Sequence, residues 1–354
     1  MSQNTNFVLK KERIQYIDAL RGFAMLLVVF VHVEIFSIFG FGNTPILANI
    51  ISAFHMPLFF FISGFCVYKP EKRYGLTKVK DDFIRLIVPT CILGLLYTYF
   101  KINLDIQYFF SNPMKAGYWF TITMFEVLLI YYAINNTTRK NKKSFLFFLW
   151  IVAIGMYLLK LPLKLFPAAE VVSNYLCFHQ TCNFFIFFAL GITVSMYIDK
   201  FNAFITNDFV RTIGLLVFIA FSYMQFNVFN KYVDISIVWK VVETLGETLI
   251  GISGILLLYI IFYNNKDYFI NSHIISKWLI IIGRNTLPIY LLHYFFLAEI
   301  PWIGDVLTKY PNVVVESLIA LFLSLIVICV AIVIKNVFSI SPQLAKLLLG
   351  SSSR

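Results

Sequence analysis

The chain has 354 residues and a formal net charge of +11; 60% of its residues are hydrophobic and only 13% are charged. Soluble domains carry roughly 25% charged residues, so this composition indicates lipid rather than water as the main solvent. A large soluble core is excluded by the apolar runs, several of which reach the roughly 20 residues that a membrane-spanning helix needs.

The apolar runs predict an all-α, polytopic transmembrane bundle of about ten spans. The first run follows a polar segment and is too long for a signal-peptide core, so we expect it to be a retained span. The loops are short, and any chemistry is therefore expected inside the bundle. In chain order the expected spans are 16–38, 45–68, 83–101, 118–135, 144–161, 180–198, 209–226, 243–263, 278–299 and 313–334.

Basic residues predict the orientation of these spans. An even number of spans puts both termini on one side, and the loops of that side hold 19 Lys and Arg residues against 7 in the opposite loops. The positive-inside rule places that side in the cytoplasm. We expect a cytoplasmic segment 1–13, a transmembrane domain 14–334 and a cytoplasmic tail 335–354. No nucleic acid is expected as a partner, since the basic residues form no continuous face.

Three arginines, Arg21, Arg85 and Arg284, lie inside apolar spans near their predicted cytoplasmic ends. A charge within the membrane is costly and is a functional candidate. The alternative for each is a side chain that snorkels to the lipid headgroups. Three arginines at one depth on one side predict an anion-binding vestibule.

Three histidines, His32, His55 and His293, share a second, deeper level. Arg21 and His32 are eleven residues apart, which places them on one helix face about 16 Å apart along the axis. Histidines in hydrocarbon are expensive unless they face a polar cavity, so this grouping predicts such a cavity. The alternative is that backbone carbonyls satisfy each histidine separately.

Two prolines accompany the histidines. Pro57 follows His55 closely and Pro288 precedes His293 by little more than one turn, so each is expected to bend its span. Arg284 and His293 are nine residues apart, on opposite faces of an ideal helix. A bend at Pro288 is the expected way to re-aim them.

No metal site is expected. Cys177, His179 and Cys182 come nearest to one, but a fourth ligand is missing and the spacing is irregular. The alternatives for the cysteines are small apolar side chains or a disulfide between the two.

Four segments carry a family resemblance: RIQYIDALRGFAMLLVVFVH (13–32), FHMPLFFFISGF (54–65), GYWFTITMFEVLLIYY (117–132) and NTLPIYLLHY (285–294). In these segments the chain resembles the membrane acyltransferase-3 family, in particular its stand-alone sugar O-acetyltransferases. The resemblance implies transfer of an acyl group, usually acetyl from acetyl-CoA, to a hydroxyl of a cell-envelope carbohydrate. It also implies a place in the bacterial inner membrane, among its lipids.

The resemblance also assigns residues. Arg21 and His32 occupy the family's Arg-x10-His positions, and His293 is the histidine of its late YLLH element. The family's two arginines before the third span correspond to Asp82 and Arg85, so only the second is basic, although Lys78 or Lys80 can substitute.

Together with the spacing, these assignments imply that Arg21, Arg85 and Arg284 bind the head of CoA while His32 and His293 catalyse transfer. Whether a histidine acts as a general base or carries the acyl group stays open. Side chains expected to line the substrate are His55, Ser63 and Glu126, and Glu243 and Glu247 are further candidates for orienting a histidine or the sugar. A purely structural role is the alternative for each glutamate.

Two other functions fit a polytopic protein. A transporter or exporter of a glycan or small anion would also use kinked helices and buried charges, but the sequence shows no paired broken helices in two related halves. A scaffold for glycan assembly would explain the hydrophobicity but not the Arg21–His32 register.

Overall fold

The computed structural model describes residues 14–40, 45–69, 72–138, 140–225, 237–271 and 273–350. Within these ranges every regular element is helical, as predicted. Turns of π-helix continue α1 over Val33–Phe39 and α4 over Tyr97–Lys101, and 3-10 turns lie at Lys115–Gly117 and His293–Phe296. The α-helices are α1 (Gln15–His32), α2 (Ile46–Ser52), α3 (His55–Val67), α4 (Leu76–Leu96), α5 (Ile106–Ser111), α6 (Trp119–Thr138), α7 (Lys142–Leu165), α8 (Pro167–Leu176), α9 (Phe178–Met196), α10 (Ile198–Ile205), α11 (Asp208–Met224), α12 (Ile237–Asn264), α13 (Lys266–Ile270), α14 (Ile274–Arg284), α15 (Thr286–Leu292), α16 (Pro301–Lys309), α17 (Val313–Phe338) and α18 (Pro342–Leu349).

The protein is a multi-pass membrane protein. In the described part of the chain, seven helical stretches are long and apolar enough to cross a membrane, or nine if each of two bent helix pairs is one span. The sequence predicted about ten. The predicted span 118–135 coincides with α6, which is not among the seven stretches. Its residues Glu126, Asn135 and Asn136 make it more polar than its neighbours. The seven stretches are Gln15–Phe39, Ile46–Val67, Leu76–Lys101, Lys142–Lys160, Phe178–Met196, Val241–Asn264 and Val313–Phe338.

The predicted span 278–299 is broken into α14 and α15, which meet at a bend of 70°. The break is at Asn285, whose backbone leaves the helical conformation. Pro288 lies within the first turn of α15, where a missing N–H removes no helical hydrogen bond. The predicted bend at Pro288 is therefore wrong by three residues. Pro57 has the same place in α3, after the turn that separates α2 from α3.

Helix α1 packs against α3, α12, α14 and α17. It crosses α14 backbone to backbone, because both helices carry glycine at the crossing. A Cβ atom on Gly22 would lie 1.9 Å from the carbonyl oxygen of Leu279, and one on Gly283 would lie 1.9 Å from that of Asp18. Small residues commonly permit such close helix packing in membranes.

Helices α3 and α9 cross in the same way. A Cβ atom on Gly64 would lie 2.1 Å from the Phe188 carbonyl oxygen, and one on Gly191 would lie 2.0 Å from that of Phe61. Two glycine crossings thus fix α1 against α14 and α3 against α9. His32 ends α1, His55 begins α3, and α14 leads into α15, which His293 follows.

We expect Gly22→Ala to destabilise the protein, because the added methyl group has no room unless α1 and α14 separate. Overpacking of this kind costs about 1–3 kcal/mol. Gly155→Ala on α7 is the matched control, since a Cβ atom there meets nothing within 4 Å and alanine favours a helix over glycine by about 1 kcal/mol. Thermal unfolding in detergent should show a lower midpoint for Gly22→Ala only. Equal midpoints for the two variants would contradict the close crossing.

Candidate active site

The site is centred on two histidines that the fold brings together from opposite ends of the chain. His32 is the last residue of α1, and His293 follows α15. Their Nδ1 and Nε2 atoms, respectively, lie 2.8 Å apart. The ring planes are 9° from parallel and the ring centroids are 5.1 Å apart, so the rings meet edge to edge, as an N–H···N hydrogen bond requires. His293 is fully buried.

Backbone carbonyls determine which ring nitrogens carry protons when both rings are neutral. The Nδ1 atom of His293 lies 2.7 Å from the Tyr290 oxygen and 3.1 Å from the Ile289 oxygen. A carbonyl only accepts, so this nitrogen must be the donor. The Nε2 atom of His293 is then an acceptor, and His32 donates to it through Nδ1–H. His32 is left with an unprotonated Nε2, which lies 3.3 Å from the Tyr294 hydroxyl oxygen.

Tyrosines hold this arrangement from the side of α6. The Tyr290 hydroxyl donates to the Gly117 carbonyl at 2.7 Å, and the Tyr118 hydroxyl donates to the Leu291 carbonyl at 3.0 Å. Tyr294 packs against Tyr118 with ring centroids 5.3 Å apart. These contacts join α15 to the start of α6, and the buried rings exclude water from the histidine pair.

A buried lysine shapes the turn that carries Gly117. Lys115 is 1% exposed, and its ammonium group donates to the carbonyl oxygens of Phe110, Asn112 and Asn174. Lys115 and Ala116 have positive φ values of 48° and 51°, an uncommon conformation for residues other than glycine. Burial lowers the pKa of Lys115. The lysine thus stabilises an unusual backbone that presents the Gly117 carbonyl to Tyr290.

The three residues predicted to line the substrate lie outside this pair. His55 is buried, and its Nδ1 donates to the Ile51 carbonyl at 2.9 Å. This contact is the one expected if a backbone carbonyl satisfies His55 separately from the other histidines. Ser63 lies eight residues farther along α3, about 12 Å from His55 along the axis. Glu126 accepts a hydrogen bond from Thr181 at 2.5 Å, which connects α6 to α9.

Two of the three arginines adjoin one helix crossing. Arg21 precedes Gly22 and Arg284 follows Gly283, the two glycines at the contact of α1 with α14. The Nε atom of Arg284 lies 3.5 Å from a carboxylate oxygen of buried Asp18, and half of the arginine side chain is exposed. This end of the bundle therefore concentrates positive charge beside a buried acid.

Arg85 lies on α4, which packs against α6, α15 and α18. Its Nη2 atom is 3.2 Å from a carboxylate oxygen of Asp82, to which Lys78 also donates at 2.6 Å. The second carboxylate oxygen of Asp82 accepts from the Tyr132 hydroxyl at 2.6 Å. In this chain the aspartate at the family's first arginine position thus anchors two basic side chains. None of the contacts described for Arg85 joins it to Arg21 or Arg284.

One buried acid close to His32 in the chain was not among the residues predicted from the sequence. Glu34 follows His32 by two residues, in the π-helical turn Val33–Phe39, and is fully buried. Within the described ranges neither of its carboxylate oxygens has a hydrogen-bond partner. Short π-helical turns are frequent at functional sites. The signal was present in the sequence, because an acid inside an apolar span is a candidate by the rule applied to the arginines.

The cysteines are free thiols, so the disulfide alternative is wrong. Cys177 and Cys182 are both buried, and the Cys177 thiol donates to the Pro113 carbonyl at 3.6 Å. Cys177 has a left-handed φ of 58° where α8 gives way to α9.

We expect the His32 ring to carry its proton on Nδ1 and none on Nε2. Two carbonyls take the Nδ1–H of His293, so its Nε2 can only accept, and His32 must donate to it. Proton–nitrogen spectra of protein labelled with ¹⁵N-histidine should show this tautomer, with His32→Gln and His293→Gln used to assign the signals. A His32 ring protonated at Nε2 alone would contradict the proposed direction of the hydrogen bond.

Comparison with known proteins adds one match. The model of the acyltransferase-3 family, described as an acyltransferase domain, matches residues 14–335. No curated protein and no solved structure gives a significant match. The matched range contains His32, His293 and the three arginines, and it covers most of the chain. The protein belongs to the acyltransferase-3 family of membrane proteins.

Proposed function

We propose that the protein transfers an acyl group, in the first instance acetyl, from acyl-CoA to a hydroxyl group of a cell-envelope glycan or glycan precursor. The observation that carries this proposal is the hydrogen bond between His32 and His293, which leaves an unprotonated Nε2 on His32. Such a nitrogen inside an acyltransferase domain suits proton abstraction from an alcohol. Membership of the acyltransferase family supports acyl transfer. The identities of the donor and the acceptor are proposed in addition.

In the reaction we propose, His32 Nε2 takes the proton of the acceptor hydroxyl as its oxygen attacks the thioester carbonyl. The C–O bond forms and the C–S bond breaks, and the proton passes from Nε2 to the departing CoA sulfur. During transfer the His32 ring is positive, and the acceptor nitrogen of His293 stabilises its Nδ1–H. The Tyr294 hydroxyl lies 3.3 Å from Nε2 and donates to the Gly117 carbonyl at 3.3 Å; in the proposed reaction it turns to donate to the thioester oxygen as that oxygen gains charge.

The same nitrogen serves the alternative in which His32 first attacks the acyl carbon and passes the group to the sugar. In both routes His293 acts through His32 and does not touch the acyl group. Its two ring nitrogens are occupied by the backbone carbonyls and by His32. Both histidines were predicted to be catalytic; the geometry supports His32 as the catalytic residue and His293 as its positioning residue.

Arg21, Arg85 and Arg284 are proposed to bind the phosphates of CoA. A guanidinium has five N–H donors and grips phosphate oxygens with two of them at once. The described carboxylate contacts occupy one nitrogen each of Arg85 and Arg284, both about half exposed. With the phosphates at Arg21, the extended pantetheine arm can follow α1 over the roughly 16 Å to His32.

This route needs the arginine end of the bundle to face the cytoplasm, where acyl-CoA is available. The excess of basic residues in the loops on the N-terminal side supports that orientation. We therefore propose a bacterial inner-membrane location with the segments 1–13 and 335–354 in the cytoplasm and the domain 14–334 in the membrane.

One structural feature bears on the transporter alternative. Of the two bent helix pairs, α10 and α11 meet at 79° through Thr206 and Asn207, which are exposed. That bend resembles a surface helix leading into a span. The bend at Asn285 is followed by α15 and then by His293, which contacts His32. The other break within a described span, the turn between α2 and α3, comes directly before His55. Both breaks thus lead to histidines, and the enzyme function accounts for that placement.

Loss of the His32 ring should abolish transfer while donor binding is kept. For His32→Ala we expect turnover to fall by about 10²–10⁴-fold or more, with the dissociation constant of acetyl-CoA nearly unchanged. His293→Ala should lose most of the activity, and His293→Gln should recover part of it, because a glutamine oxygen can accept from His32. Turnover assays with radiolabelled acetyl-CoA measure this.

His273→Ala is the control for these variants, since this exposed histidine stacks on Tyr268 at the start of α14. It should retain wild-type turnover. Near wild-type activity of His32→Ala would reduce His32 to a structural role.

Arg21→Lys should weaken acyl-CoA binding although the charge is kept, because an ammonium group lacks the planar fork of a guanidinium. A charge-assisted hydrogen bond contributes about 1.5–3 kcal/mol, so its loss should raise the donor dissociation constant roughly tenfold or more. The variant should also discriminate less between CoA and dephospho-CoA. Arg211→Lys is the control, as Arg211 pairs with exposed Asp208 on α11. Normal donor binding with loss of turnover alone would contradict the phosphate contact.

A further inference from the structure

A cavity of about 330 Å³ lies between the second half of α2, the start of α3, the first halves of α9 and α12, and the residue that follows α11. These parts of the helices lie in the half of the bundle away from the three arginines. The volume is at the small end of the range for ligand pockets, which suits one unit of a glycan rather than a long chain. The lining residues are Asn49, Ser52, Ala53, Pro57, Asn183, Phe184, Phe187, Gln225, Glu247 and Thr248.

The lining has the chemistry of a site for a neutral polyol. It combines side-chain amides, hydroxyl groups and one carboxylate with the rings of Phe184 and Phe187. Amides and carboxylates exchange hydrogen bonds with sugar hydroxyls, and aromatic rings pack against the apolar C–H face of a sugar. No Lys or Arg lines the cavity, and Glu247 repels anions. The phosphates of CoA therefore do not belong here.

The polar groups are held in place by their neighbours. Lys160, 7% exposed, donates to the side-chain oxygen of Asn183 at 2.8 Å, which fixes that amide with its NH₂ group still able to donate. The Thr248 hydroxyl donates to the Thr244 carbonyl at 2.9 Å and also contacts the Tyr157 hydroxyl. The cavity is thus a built site with oriented donors and acceptors.

Gln225 provides an independent observation. Its side-chain oxygen is buried and has no hydrogen-bond partner among the residues that the structure describes. Buried polar atoms are nearly always paired, and an unpaired one destabilises the protein unless a ligand supplies the donor. A hydroxyl group in the cavity would supply it.

The wall of the cavity includes sequence neighbours of His55. Ala53 and Pro57 in its wall flank His55 in sequence, and α2 and α3 both pack on α1. A ligand in the cavity would therefore approach His32 from the side opposite to the arginines.

We propose that this cavity binds the acceptor, as one uncharged sugar unit of the glycan, and presents its hydroxyl to His32. The proposal rests on acyl transfer to a glycan, the proposed function. It predicts that donor and acceptor occupy opposite ends of the bundle, with the acceptor entering from the extracytoplasmic side.

The test uses Gln225→Leu, which keeps the volume of the side chain and removes its polar atoms. The chromosomal copy is replaced by each variant, and acyl ester in the envelope glycan is measured with alkaline hydroxylamine. The purified full-length variants are assayed for acetyl-CoA binding and for the midpoint of thermal unfolding. Gln107→Leu on α5 is the matched control, because Gln107 is exposed and outside the cavity.

We expect Gln225→Leu to lower glycan ester at least fivefold, to leave the acetyl-CoA dissociation constant unchanged and not to lower the unfolding midpoint. A structural glutamine would lower the midpoint, so a lower midpoint together with ester loss overturns the proposal, as does wild-type ester content. A wild-type protein that binds no acetyl-CoA and deposits no ester overturns the proposed function instead. Binding of acetyl-CoA without any glycan ester overturns the glycan acceptor and this site with it.

Discussion

His32 and His293 share a hydrogen bond only if the end of α1 and the end of the broken span α14–α15 reach the same point in the bundle. The two residues are 261 positions apart in the chain. The crossing at Gly22 and Gly283 sets the distance between α1 and α14, and the 70° bend at Asn285 turns α15 toward α1. Packing of backbone on backbone is rigid, because no side chain lies between to adjust. The position of the reactive nitrogen therefore depends on two glycines and one bend that take no part in the chemistry.

Much of the architecture could be predicted from the sequence, because apolar length alone identifies spans. The register of Arg21 and His32 on one helix was equally accessible, since both lie on α1. The contact of His32 with His293 was not, because it depends on where a distant span breaks. An ideal helix places Arg284 and His293 on opposite faces, but the break at Asn285 means that the two residues do not lie on one continuous helix. Proline was a poor guide to the bend, since the first turn of a helix accepts proline without cost.

The arginines illustrate another limit of sequence reasoning. The depth of a residue along a span can be counted from the sequence, but the side chain that pairs with a charged residue cannot be identified from it. Asp18 and Asp82 are both buried, and each contacts an arginine whose side chain is about half exposed. The acids orient the guanidinium groups and reduce the cost of bringing positive charge toward the lipid. Asp82 also gathers Lys78 beside Arg85, so one buried acid holds two basic side chains on α4.

The anchor of His293 is made by the main chain. In a serine hydrolase the third member of the triad is an acidic side chain that mutation can remove. Here the equivalent acceptors are the carbonyls of residues 289 and 290, one turn earlier in the same helix. Every amino acid supplies such a carbonyl, so the anchor itself does not depend on the side chain at either position, although the Tyr290 hydroxyl has its own bond to Gly117. Evolution can therefore vary the side chains around the anchor without losing it, and only conformational changes such as a shifted helix break would disable it.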